Sequence, residues 1–317
     1  MFPDWWPSAS RLAIETRADL LAAIREFFAE HQVLEVETPI LSRAGNTDPN
    51  IAGMNTACTS PRYLRTSPEF PMKRLLAAGL KDIYEMGRVF RASESGAWHN
   101  PEFTLLEWYR YGKGYLELAD EVIALVRHCG KGRFDSWPVV RHTYRDLFVG
   151  HVGLDPNQAD ESDWAELAKE RGIQAGALGL QQWQDLLLTH VIQPGFDPDL
   201  ITIVCDYPPE LAALARIRPG DSPVAERFEV YLGQTELANG YQELADPVEQ
   251  RRRFEHDNYL RAARGDLTPP IDTHLLAALH HGIPECSGVA LGVDRLLMRL
   301  LDVERINAVL TFPQDRA

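Results

Sequence analysis

Between Ile83 and Arg110 the chain carries two strand-like runs joined by a short polar connection, and no other segment narrows the possible folds as far. The first run, Ile83 to Arg91, closes on an arginine. A link rich in Ser and Gly follows, and His99-Asn100-Pro101-Glu102-Phe103 then opens a second run that ends in Glu107 and Tyr109. Two such runs form a hairpin. Arg91 offers a planar fork to phosphate oxygens, and Phe103 offers a flat face for a base, so a hairpin of this kind can hold a triphosphate. An ordinary surface hairpin with an exposed arginine explains these residues equally well until the rest of the chain is read beside them.

Elsewhere the spacing of apolar residues gives most of the elements. Leu20, Leu21, Ile24, Phe27 and Phe28 recur at helical spacing, so Leu12 to Gln32 reads as an amphipathic helix. Val33 to Val36 is a short strand that stops at Thr38-Pro39, and Asn46 to Ser60 is loop-like. Ser67-Pro68-Glu69 reads as a helix start with a Ser cap and Pro in the first turn, the helix running to about Gly79. Helices are expected at Tyr115–His128, Gln181–Ile192, Pro247–Arg264, Asp272–His281 and Asp294–Leu301. Strands are expected at Ile201–Cys205, Ala225–Tyr231, Thr235–Glu243 and Gly288–Gly292. Residues 131–180 carry little signal beyond mixed helices and loops. Consecutive strands joined by tight turns predict an α+β chain, a mainly antiparallel sheet flanked by helices. No repeat or low-complexity linker divides the 317 residues, so a single domain over 1–317 is expected.

Several functions are excluded early. There is no phosphate loop of the G-x-x-x-x-G-K type, no dinucleotide G-x-G-x-x-G after a strand, no H-E-x-x-H and no G-x-S-x-G. No apolar run reaches the length of a membrane span, and the first residues do not read as a secretory leader, so no membrane partner is expected. Cys58, Cys129, Cys205 and Cys286 are far apart and read as reduced, mostly buried thiols of a cytoplasmic protein. A net charge of −14 argues against a broad basic face for nucleic acid. Arg251-Arg252-Arg253, the only basic triplet, reads as a solvated helix face.

Three clusters remain. Glu69 at its helix start is either a dipole-stabilising cap or a carboxylate for a substrate ammonium. Glu236 and Glu243, seven residues apart, fall on opposite faces of a regular strand. A bulge at Asn239-Gly240 would bring both to one side, where two carboxylates beside phosphates suit Mg²⁺; two exposed acids on an edge strand are the plainer alternative. Gly288 to Gly292 is a small-residue strand running into a helix whose first turn carries Asp294 and Arg295. Its glycines allow a ligand close to the backbone, though tight strand–helix packing explains them equally well.

Together these segments resemble the class II aminoacyl-tRNA synthetases. The strand ending at Pro39, the Arg91…His99…Phe103 hairpin and Gly288–Arg295 look like motifs 1, 2 and 3 of that family, and the likeness covers nearly the whole chain. His-Asn-Pro-Glu-Phe and Glu-Leu-Ala-Asn-Gly narrow it to the lysyl-tRNA synthetase branch. The resemblance implies a homodimer through the motif 1 helix and strand, ATP and Mg²⁺, and roles position by position. Arg91 would hold the α-phosphate, with His99 and Asn100 beside the nucleotide, and Phe103 and Arg295 would sandwich adenine. Leu237 would lie against ATP, Gly292 would leave room for it, and Glu236 and Glu243 would organise the metal. Glu69 would bind one substrate ammonium and Tyr109 with Glu243 the other, in a pocket that includes Ser67, Pro68 and Ala290. Arg91 and Arg295 would be the catalytic pair. Glu107 shares a strand face with Phe103 and Tyr109 and so falls in the same site.

Four departures refine the resemblance. The motif 1 helix begins almost at Met1, so no anticodon-reading barrel is expected before it. Ser67 stands where lysyl-tRNA synthetases usually have Ala, and Ala290 where they usually have Gly. These features resemble the paralogues that attach (R)-β-lysine to a lysine of translation elongation factor P, which implies a protein acceptor and no tRNA. Ser93 stands where the family usually has Glu, with Glu94 shifted by one. A truncated lysyl-tRNA synthetase and a catalytically silent lysine-binding paralogue are the alternatives.

Overall fold

The computed structural model describes residues 5–176 and 178–317. Helix α1 (Arg11–Glu30) starts at Ser10, whose hydroxyl accepts the Ala13 N–H, and buries Leu20, Ile24, Phe27 and Phe28. Short strands β1 (Leu34–Glu35), β2 (Leu41–Ser42), β3 (Met54–Asn55) and β4 (Tyr63–Leu64) follow, then α2 (Glu69–Ala77). The hairpin β5 (Ile83–Phe90) and β6 (Glu102–Tyr111) leads to α3 (Tyr115–Gly130), β7 (Val139–Thr143), α4 (Tyr144–Val152), α5 (Glu161–Glu170) and α6 (Leu180–Leu187). The last part comprises β8 (Ile201–Tyr207), β9 (Ile217–Arg218), β10 (Val224–Leu232), β11 (Thr235–Gln242), α7 (Pro247–Arg264), α8 (Thr273–His281), β12 (Cys286–Gly292) and α9 (Val293–Leu301).

Among the described residues nine strands form one sheet, in the order β1-β5-β6-β12-β11-β10-β8-β7 with β9 on β10; β2, β4 and β3 form a second, small one. The β1–β5 and β7–β8 pairs are parallel and the other neighbours antiparallel. Side chains alternate across the pleat. On one face Leu106, Trp108, Phe228, Val230, Val289 and Leu291 pack under α1, α3 and α9 in the main core. A second core lies under α4, α5 and α6, around Phe148, Trp164, Trp183 and Tyr207. The other face of the central strands is left to a cavity.

The expected elements are present and the α+β class holds. Four local expectations need correction. The loop-like stretch at 46–60 contains β3, and residues 131–180 contain β7, an edge strand whose residues are all at least partly exposed and so show no apolar alternation. Pro68 is the cap residue of α2 rather than part of its first turn, and the Ser67 hydroxyl accepts the Glu69 N–H at 2.9 Å. The bulge in β11 is at Leu237, not Asn239-Gly240: Val230 faces Ala238 while Tyr231 faces Glu236, which leaves Leu237 as the extra residue. Gly240 keeps regular register because it supports packing. A Cβ there would lie 2.5 Å from Phe228 Cζ and 2.8 Å from the Gly288 carbonyl oxygen. The bulge still has the expected effect, since Glu236, Asn239, Tyr241 and Glu243 all line one cavity. Gly240→Ala should cost about 1–3 kcal/mol through overpacking, read as a lower urea midpoint with an unchanged slope.

Candidate active site

The cavity over the central strands has a volume of about 660 Å³. Its floor follows from the register. Gly288 lies opposite Tyr109, Ala290 opposite Glu107 and Gly292 opposite Leu105; on the other side Tyr241 pairs with Gly288 and Asn239 with Ala290. The three small residues of β12 therefore leave a trough between the larger side chains of β6 and β11. A Cβ on Gly288 would fall on Glu243 Oε1 and on the Tyr109 ring.

One end of the trough is cationic. Arg91 follows β5, its guanidinium carbon 5.1 Å from the Phe103 ring centroid and its Nη1 3.0 Å from Glu94 Oε1. Glu94 thus faces the site while Ser93 is exposed. Arg295, in the first turn of α9, donates to the Glu236 carbonyl at 2.9 Å and lies 3.4 Å from its Oε2. Its Nη2 is 2.7 Å from His99 Nε2. Burial, and then the Arg295 charge, hold the His99 imidazole below its ordinary range, so this nitrogen accepts. The neighbouring Asp294 is buried and accepts from Arg17 of α1 and from the Thr104 N–H of β6 at 2.7 Å. It fixes the helix start that carries Arg295. Two guanidinium groups beside an aromatic face suit a polyanion attached to a flat ring.

The other end is anionic and largely buried. Glu107, on β6, is 4% exposed, and its Oε1 accepts the Tyr109 hydroxyl at 2.7 Å. Burial, and then the Glu69 charge, push its carboxyl up to about 8. Lys73, one turn along α2 from Glu69, lies 2.7 Å from Glu69 Oε1 and 2.5 Å from Glu243 Oε2. Burial opposes its charge, but Glu243 and Glu69 outweigh it and hold the ammonium above the ordinary lysine range.

Most of the sequence-derived site residues come together here: Arg91, His99, Phe103, Glu236, Leu237, Gly292 and Arg295 line the cationic side, and Ser67, Glu69, Tyr109, Glu243 and Ala290 the anionic side. Pro68 is buried at the start of α2 and does not line the cavity. Asn100 lines it, but its amide is bonded to the Glu102 carbonyl and the Gln314 N–H. Among the described residues no three His, Cys, Asp or Glu form a metal cluster. Sequence reasoning missed Lys73, Tyr241 and the outer wall. There buried Arg261 of α7 donates to the carbonyls of Thr47, Asp48 and Ile51 and holds that loop at the cavity. Lys73 was detectable as an i,i+4 partner of Glu69; Tyr241 follows from alternation with Glu243. The basic triplet is neutralised within its helix, Arg252 and Arg253 by Glu249 and Arg251 by Glu255.

The profile of the class II tRNA synthetases (D, K and N) matches residues 4–316. The chain is 44% identical over 328 residues to the elongation factor P–(R)-β-lysine ligase of Vibrio cholerae, covering 99% of each chain. It is 45% identical over 324 residues to the protein of the same name from Erwinia tasmaniensis, covering 98% of each. The Pectobacterium atrosepticum protein, also of that name, is 44% identical over 99% of this chain and 98% of its own.

A carboxyl raised to about 8 stays protonated in the fold where the unfolded chain, near 4.5, has already ionised. The associated stability is full below that lower value and is lost as pH rises to about 8. The urea midpoint of the ligand-free protein should fall over this range, and Glu107→Gln should lessen the fall, leaving the part due to Glu243, whose carboxyl burial pushes up to about 7. An equal fall in both proteins would remove Glu107 as its source.

Proposed function

We propose that this chain, which belongs to the class II tRNA synthetases (D, K and N), activates (R)-β-lysine with ATP and transfers it to the ε-amine of a lysine on translation elongation factor P. The carrying observation is one trough with two opposite ends. Arg91, Arg295 and Phe103 suit a nucleotide, and the buried carboxylates Glu107 and Glu243, with the partly buried Glu69 beside them, suit an amino acid with two ammonium groups. The names of relatives matched from end to end supply the isomer and the acceptor.

In this reading a substrate carboxylate oxygen attacks the α-phosphorus of ATP. The bond to the β-phosphate oxygen breaks, and pyrophosphate leaves an aminoacyl adenylate. Arg91 and Arg295 meet the charge on the phosphates, Phe103 stacks on adenine, and Glu69 and Glu243 with Tyr109 orient the ammonium groups. The neutral ε-amine of the acceptor lysine then attacks the adenylate carbonyl; the amide forms, AMP leaves and the amine proton passes to solvent. No side-chain nucleophile is required, because the adenylate is already activated. Mg²⁺ would add charge neutralisation at the phosphates. Glu236 has the donor for it, a carboxylate 39% exposed and only loosely paired with Arg295, whereas Glu243 is held by Lys73.

The same reading takes residues 1–317 as one catalytic domain working as a homodimer. Support for the dimer comes from exposed apolar side chains on and beside α1 and β1: Leu12, Ile14, Leu34, Ile40 and Leu41. Among the described residues no helix is long and apolar enough to cross a membrane.

Pyrophosphate exchange with (R)-β-lysine, α-lysine and aspartate, with mass spectrometry of elongation factor P, tests the proposal. Exchange with (R)-β-lysine and one added β-lysyl mass on the factor are expected; α-lysine exchange with tRNA charging and an unmodified factor would overturn it. Arg91→Ala should lower exchange about 10²–10³-fold with an unchanged circular dichroism spectrum.

A further inference from the structure

Among the described residues Lys73 is the one lysine whose side chain is buried, and it is not part of the cavity lining. It stands behind the acids that are. Its Nζ holds one oxygen of Glu69 and one of Glu243, while Glu243 Oε1 is buried without a hydrogen-bond partner. Glu107 has no ion-pair partner among the described residues; its Oε1 takes the Tyr109 hydroxyl.

Three carboxylates crowded into one pocket do not ionise independently, because each raises the cost of charging the next. One internal ammonium changes that balance. It stands between Glu69 and Glu243, offsets one of their charges, and leaves the pocket, fully ionised, with two uncompensated negative charges. We propose that Lys73 is a positioning residue for this reaction, a fixed counter-charge that brings the amino-acid end, once its three carboxyls ionise, to minus two rather than minus three and so selects a substrate with two ammonium groups. This rests on the adenylating function proposed above. An ammonium held so firmly is neither a nucleophile nor a base. Among the described residues Lys73 is the one cation within ion-pair distance of Glu69 or Glu243: Glu69 lies on its own helix, Glu243 follows β11, Glu107 and Tyr109 come from β6, Tyr241 from β11 and Cys286 from β12, and α8 buries Leu275, Leu276 and Leu279, while Arg227 of β10 acts on Tyr241 but is paired with Glu229.

The test is Lys73→Met in the full chain, assayed by pyrophosphate exchange from about pH 6 to about pH 8.5, a range that spans the Glu107 titration. The KM for (R)-β-lysine should rise about 10–100-fold while the KM for ATP stays within about twofold, and the pH at which the β-lysine KM levels off should move upward. A wild-type KM and pH profile, or equal changes in both KM values, would overturn the inference. Should Lys73→Met not fold, the double variant Glu69→Gln/Lys73→Met decides. It again has two uncompensated carboxylates, so its β-lysine KM should level off at the wild-type pH although the KM itself is higher. Levelling off at a higher pH would count against the counter-charge. Wild-type protein that exchanges with no diammonium substrate would instead refute the proposed function, a separate outcome.

Discussion

Strand β12 divides the molecule into a packed side and a working side. Between β6 and β11 it turns Val289 and Leu291 into the main core and Gly288, Ala290 and Gly292 toward the cavity. The pleat makes these two jobs inseparable, since a slip of one residue would exchange the faces. Register is therefore the constraint on which the site rests. Gly240 serves it from the next strand by leaving room for the Phe228 ring, and Leu237 serves it by adding the single residue that turns Glu236 inward.

The cationic end depends on elements far apart in the chain. Asp294 gathers Arg17 from α1 and the Thr104 N–H from β6, and the next residue is Arg295. A buried carboxylate with charge-assisted hydrogen bonds to two other elements holds a helix start more firmly than apolar packing alone. The cost of leaving either partner unmatched also makes the arrangement hard to distort. The helix that is amphipathic for the core thus also fixes the placement of a guanidinium in the site.

Much of this was legible in the sequence because it obeys local rules. The hairpin, the helices after Tyr115 and Pro247, and the small-residue strand are set by periodicity and capping, and family resemblance then ordered their side chains. What was not legible depends on partners distant in sequence. The bulge in β11 is placed by the fit of Gly240 under Phe228, which no reading of residues 235–243 alone reveals. Lys73 looks like an ordinary helix cation until Glu243 is brought to it across the fold. Strand β7 owes its pairing to β8 rather than to any apolar alternation of its own. Asn100 reads as a ligand contact, yet its amide joins the second hairpin strand to the C-terminal segment.

The cationic end already contains its own anions. Arg91 rests on Glu94 and Phe103, and Arg295 on Glu236 and the lone pair of His99. Binding there is an exchange of partners, not the filling of a bare positive hole. A lone inorganic anion gains little by such an exchange, because it must break internal ion pairs in return for one contact. A ligand that offers several phosphate oxygens and a stacking ring displaces all these partners together. The acids beside the two arginines thereby set a threshold that an anion must overcome to enter the cationic end.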